Sequence, residues 1–176
     1  LSQAEHHESA TYLVGLSGLA LDRVEAHIYA LLATTLRDEH LRRAVHERLV
    51  AVHAASPAQA ADVANAIAPE HLQIITRDNE GVLQHVRNAG AVFLGPWAPV
   101  PLGDFAAGPS HVLPTAGAAR CMSGLGTDVF LKRMAVMECT RESFARMAPA
   151  IEAFGRAEQL PAHALTATMR LPRGDS

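Results

Sequence analysis

Apolar and polar positions along this chain follow two rhythms. Four short apolar runs are rich in strand formers: Ala10-Thr11-Tyr12-Leu13-Val14-Gly15-Leu16, Arg48-Leu49-Val50-Ala51-Val52, Leu72-Gln73-Ile74-Ile75-Thr76 and Ala91-Val92-Phe93-Leu94-Gly95. Runs of this length and composition read as strands. Between the first two, Val24, Ile28, Leu31 and Leu32 recur at helical spacing across residues 21–37. Ser56-Pro57 opens a helix over residues 56–68, with serine as N-cap and proline in the first turn. Residues 79–88 form a further helix that Ala89-Gly90 closes. Strand and helix in alternation predict βαβ units: an α/β fold whose mostly parallel sheet is flanked by helices, a Rossmann-like half.

The texture changes over residues 96–126, where prolines and glycines crowd together. A long connection of this kind in a compact domain is usually functional. Beyond it, residues 129–133 are predicted helical, 134–139 a short strand and 143–158 a helix, and the tail toward Arg170 is expected to end in a strand. This end of the chain is a small, mainly helical extension.

Size and charge narrow the function classes. The 176 residues suit one domain of ordinary size. Fifteen basic against eighteen acidic side chains leave a net charge of −3, which argues against nucleic acid or a membrane surface as partner. No apolar run approaches the ~20 residues of a membrane span. No signal peptide is visible and the two cysteines suggest no disulfide framework, so a cytoplasmic setting is expected. The chain opens Leu1-Ser2-Gln3, reads there as the end of a helix, and is expected to be a piece of a longer protein.

Several polar groups offer chemistry. Glu70 and His71 stand side by side in Pro69-Glu70-His71-Leu72, between a predicted helix and a predicted strand. Proton transfer needs such a pair, a base near neutral pH and a second group that activates water. Gln3 and His6 are three apart, on one face if helical, and suit either a zinc ion or a solvated helix end. Asp104, in the glycine-rich stretch with His111, either binds a metal or substrate ammonium or caps a turn. Glu158 and His163 lie near the end of the last predicted helix and read equally well as surface residues. Cys121 and Cys139 could serve as nucleophiles in aldehyde oxidation, but buried inert thiols are the expectation.

Taken together, six stretches resemble histidinol dehydrogenase. They are Leu1-Ser2-Gln3-Ala4-Glu5-His6, Ala68-Pro69-Glu70-His71-Leu72, Asn88-Ala89-Gly90-Ala91-Val92-Phe93-Leu94-Gly95, Leu102-Gly103-Asp104-Phe105, Ala107-Gly108-Pro109-Ser110-His111-Val112-Leu113-Pro114-Thr115 and Phe130-Leu131-Lys132-Arg133. They run in the family's order and cover the chain almost end to end.

The resemblance implies oxidation of L-histidinol to L-histidine through L-histidinal, with two NAD+. It implies one Zn2+ per site, held by Gln3, His6, Asp104 and His163, and Glu70 with His71 as the acid/base pair. Glu158 and His111 are implied to line the substrate site with His71 and the four zinc ligands. It further implies a homodimer with exchanged tails: residues 1–125 are the second half of the main catalytic domain and 126–176 a tail crossing to the other copy. The tail's apolar positions Phe144, Met147, Ile151 and Phe154 need a surface to cover, which suits this. The dinucleotide contacts are implied to come mainly from a segment before Leu1, so no residue here is assigned to NAD+. The alternative is a non-catalytic fragment of the same family that binds zinc and substrate or only dimerises. A metal-dependent hydrolase is disfavoured because no HExxH arrangement accompanies Glu70.

Overall fold

The computed structural model describes residues 1–6, 9–34 and 38–171. Their contacts divide the chain into two compact units, Leu1–Leu131 and Lys132–Ser176.

The first unit opens with a 3-10 turn, Ser2–Glu5, followed by β1 (Thr11–Gly15), α1 (Gly18–Leu32), α2 (Asp38–Arg48) and β2 (Leu49–His53). Ser17 caps α1, its hydroxyl accepting from the Ala20 N–H at 3.4 Å. Leu41, Ala44 and Val45 recur on one face of α2 and bury against Ala4 of the first turn and Leu32 of α1. Strands β1 and β2 pair in parallel, Thr11 opposite Leu49 through Gly15 opposite His53.

Next come α3 (Pro57–Ile67), β3 (His71–Ile74), α4 (Asn79–Leu83), β4 (Ala91–Leu94) and α5 (Val100–Phe105). The Ser56 hydroxyl accepts from the Gln59 N–H at 3.2 Å, and the Gln59 side chain reaches back to the Ala55 N–H at 2.5 Å. This reciprocal arrangement, with proline at the first helical position, is why α3 starts where it does. At its far end Ala68 turns left-handed, φ 52° and ψ 62°, and its N–H bonds to the Ala64 carbonyl. The chain is thereby redirected into β3, which pairs in parallel with β4, His71 opposite Ala91 through Ile74 opposite Leu94. Ala61, Ile74 and Val82 form the core between these elements, with Leu72, Leu83, Val86 and Val92 packed on it.

The second unit holds α6 (Arg141–Ala157) and α7 (Pro161–Met169). Gly155 lets them meet closely: a Cβ there would lie 2.7 Å from the Ala164 nitrogen. No helix among the described residues is long and apolar enough to cross a membrane.

The α/β class and parallel pairing agree with the sequence, and several expectations change, among them the helix over 129–133, where the chain instead makes a 3-10 turn, Thr127–Phe130. Instead of one sheet, the described strands make two separate pairs, because periodicity does not encode which strand neighbours which. The strand expected at 134–139 is absent; Met134, Val136 and Met137 are at least 80 % exposed and have no ladder to join. The tail expected to end in a strand is α7, an alanine-rich helix with proline in its first turn. The helix over 79–88 stops at Leu83, and α2 and α5 appear where no helix was assigned.

Candidate functional site

Glu70 and His71 occupy the turn from α3 into β3. Their backbone is held from below. The Gly90 N–H donates to the Pro69 carbonyl and the Ala91 N–H to the Glu70 carbonyl, both at 2.9 Å. Gly90 is required for this approach: a Cβ would stand 2.6 Å from the Glu70 carbonyl oxygen and 3.1 Å from Pro114. Pro114, buried, is thus where the proline- and glycine-rich segment touches the site.

The His71 ring leans on Phe93, centroids 6.0 Å apart and planes at 42°. Phe93 in turn lies against the backbone of α5, where a Cβ on Gly103 would fall 2.6 Å from the ring. Close packing at Gly103 brings the next residue, Asp104, to the imidazole. Its Oδ1 lies 3.5 Å from His71 Nε2, with both side chains largely buried. The separation meets the limit for an ion pair but makes no hydrogen bond, and Nε2 is a buried atom without a hydrogen-bond partner. An imidazole nitrogen kept from water and left unbonded carries a desolvation cost, and such atoms in native structures call for a functional explanation.

The remaining predicted residues are placed as follows. Gln3 lies half-buried within the first 3-10 turn, and His6, exposed, is the first residue past it, with extended backbone at φ −71° and ψ 134°. The Ser9 hydroxyl bonds the main-chain carbonyls of both, at 2.7 and 3.0 Å. His111 is exposed in the segment after α5. Glu158 caps α6 and His163 lies in the first turn of α7; both are exposed, in the second unit. The structure therefore brings Asp104 to His71, with Glu70 beside His71 in the chain. Among the described residues no group of three or more His, Cys, Asp or Glu side chains gathers in a way that could hold a metal ion. Cys121 and Cys139 are exposed free thiols, contrary to the expected burial, because each lies in a stretch that no strand or helix covers. A groove of about 370 Å³ lined by Leu13, Leu21, Glu25, Tyr29, His46 and Leu49 includes none of the candidate residues.

Several supporting residues were not singled out from the sequence. Phe93 and Gly103 aim His71 and Asp104 at each other. Arg120 ties the proline- and glycine-rich segment to α3, its guanidinium donating to the Ala66 carbonyl and, at 3.1 Å, to that of Gly117. Asn65 is buried on the apolar face of α3 with Ala61, Ala64 and Ala68. A polar residue within that apolar stripe was the one local signal available.

Residues 1–171 match the family model described as histidinol dehydrogenase. A histidinol dehydrogenase of Cutibacterium acnes is 41% identical over 175 residues, covering 98% of this chain and 40% of that relative. One from Pseudomonas aeruginosa is 43% identical over 171 residues, covering 97% and 39%. The crystal structure of histidinol dehydrogenase from Elizabethkingia anophelis superposes with a TM-score of 0.82 at 30% identity, over 96% of this chain and 39% of that one. The chain spans about two-fifths of the length of the relatives it matches.

Proposed function

The chain belongs to the histidinol dehydrogenase family, and from that footing we propose that the protein carrying it oxidises L-histidinol to L-histidine through L-histidinal, the last steps of histidine biosynthesis. The observation that carries this reading is His71 Nε2: buried, without a hydrogen bond, at the junction that also presents Glu70. An alcohol releases hydride only as its hydroxyl proton leaves, so a base must reach that oxygen. His71 is that base. Phe93 limits the ring's freedom, and the Asp104 carboxylate lies 3.5 Å from its Nε2. In the second oxidation Glu70 polarises the water that adds to the aldehyde, and His71 again takes a proton.

Two NAD+, bound in turn, would each accept one hydride, and no residue of this chain is assigned to them. The donor chemistry of Gln3, His6, Asp104 and His163 (an amide oxygen, two imidazoles and a carboxylate) fits Zn2+. Zinc held there would orient the imidazole and amine of histidinol. In the exchanged-tail homodimer that the resemblance implies, His163 of a second copy would complete the set. The apolar residues Met147, Ile151 and Phe154 of α6 are 36 to 69 % exposed, which supports a homodimer with exchanged tails. Glu158 and His163 of one copy would then serve the other copy's site, with His111 at its edge. A cytoplasmic setting goes with this reading.

The test is histidinol-dependent NADH formation by the protein as its gene encodes it. His71→Asn should lower kcat by about 10²–10⁴-fold, and removing zinc with a chelator should abolish turnover. Full activity after both changes would overturn the mechanism. The share of the relatives' length covered favours a second reading, in which these 176 residues bind zinc and histidinol without turnover. Calorimetry on this chain, with and without zinc, separates the two: heat of binding without NADH supports the second reading, and no heat removes it.

A further inference from the structure

We infer that Asn65 is a positioning residue for the Glu70–His71 pair, an assignment that rests on the function proposed above. Among the described residues it is the one polar side chain counted with the buried core, at 5% exposure. Both of its side-chain polar atoms and its main-chain carbonyl serve one neighbouring segment. Its Nδ2 donates to the His85 carbonyl at 2.8 Å. Its Oδ1 accepts from the Arg87 N–H at 2.6 Å and the Asn88 N–H at 3.1 Å. Its main-chain carbonyl accepts from Asn88 Nδ2 at 3.1 Å. Four hydrogen bonds thus pin residues 85–88, which follow α4 in irregular backbone, to the last turn of α3.

That segment leads directly to the backbone that holds the site. Two and three residues beyond Asn88, Gly90 and Ala91 donate to the carbonyls of Pro69 and Glu70. Pro69 and Glu70 follow Ala68, the cap of α3 itself. The connections form a closed circuit: from α3 through Ala68 to Glu70, and from α3 through the Asn65 side chain, Asn88 and Ala91 back to Glu70. Breaking the side-chain link removes three of these four bonds and leaves residues 85–88 held to α3 by the Asn88 bond to the Asn65 main-chain carbonyl. Because Gly90 packs with no spare room against the Glu70 carbonyl, movement of residues 87–90 passes to that carbonyl. Three carbonyls of the last turn are each taken by a different group: Ala64 by the Ala68 N–H, Asn65 by Asn88, and Ala66 by Arg120. The end of α3 is the fixed point from which the acid/base pair is aimed, and Asn65 supplies most of the ties.

The test uses the gene-encoded protein. Asn65→Ala should lower kcat with histidinol by about 100-fold, the cost of roughly 1 Å of misplacement, with KM within about threefold of the parent. Amide exchange at Gly90 and Ala91 should speed up about tenfold or more, while the amides of β1 and β2 stay unchanged. Asn65→Asp keeps both acceptor bonds but sets a carboxylate oxygen against the His85 carbonyl, so its kcat should fall between those of Asn65→Ala and the parent. If Asn65→Ala does not fold, Asn88→Ala removes a single bond and should show the same exchange pattern in milder form. A folded Asn65→Ala protein with parental kcat overturns the assignment, as does a loss confined to KM. Unaltered exchange at Gly90 and Ala91 overturns it too. If the parent itself forms no NADH from histidinol, the proposed function falls, and the exchange measurement alone still decides whether Asn65 positions the pair.

Discussion

Strands β1 and β2 pair over five positions, from Thr11–Leu49 to Gly15–His53, and β3 and β4 over four, from His71–Ala91 to Ile74–Leu94. Both pairs are parallel and both have helices against them, yet their surroundings differ. Around the first pair, Tyr12, Leu16 and Val50 stay open, and α1 exposes Leu19, Val24, Tyr29 and Leu31. Around the second, Ile74 and Phe93 are buried, Val82 fills the space beneath α3, and Asn65 and Arg120 tie the neighbouring loops to that helix. The Glu70–His71 pair sits on the second of these. The base proposed for His71 would have to be placed to within a fraction of an ångström, and backbone held by such hydrogen bonds and packing suits that demand.

Substitutions can sharpen or break this contrast, measured as urea unfolding of the 176-residue chain. Ile74→Ala should have the largest effect, about 2–5 kcal/mol of lost stability, because it opens a cavity in the closed core. Gly103→Ala should cost about 1–3 kcal/mol, since its methyl group meets the Phe93 ring and must displace it. Ser56→Ala should cost about 1 kcal/mol through loss of the cap on α3. Leu19→Ser, at a site 70 % exposed on α1, should change stability by about 0.5 kcal/mol or less. A Leu19→Ser loss comparable to that of Ile74→Ala would mean the two regions are equally closed and the contrast is wrong.

How much was legible depends on how far apart the interacting residues lie. The start of α3 was readable because Ser56, Pro57 and Gln59 act on one another within one turn. Strand β4 was readable from its apolar run and the Asn88-Ala89-Gly90 stop before it. Glu70 and His71 were readable as a candidate proton-transfer pair from their adjacency, but the approach of Asp104 to His71 was not, since nothing local says that a residue of α5 meets the first residue of β3. Asn65 carried a hint, an amide on an apolar helix face, but its partners lie 20 to 23 residues away. Helix α7 was missed because its apolar positions also fit a strand, and the packing of Gly155 on Ala164 decides for the helix.

By itself the sequence determined the α/β class, the family, the caps and the residue types available for proton transfer and metal binding, all of which follow from side-chain spacing and chemistry within a few positions. Tertiary structure alone decided that the strands divide into two pairs, that Phe93 and Gly103 bring Asp104 to His71, and that Asn65 ties α3 to the backbone supporting Glu70. These depend on which distant segments exclude water from each other, and on where the buried polar groups then find their hydrogen-bond partners. Such choices are made by the packed chain as a whole, and no stretch of neighbouring residues carries them.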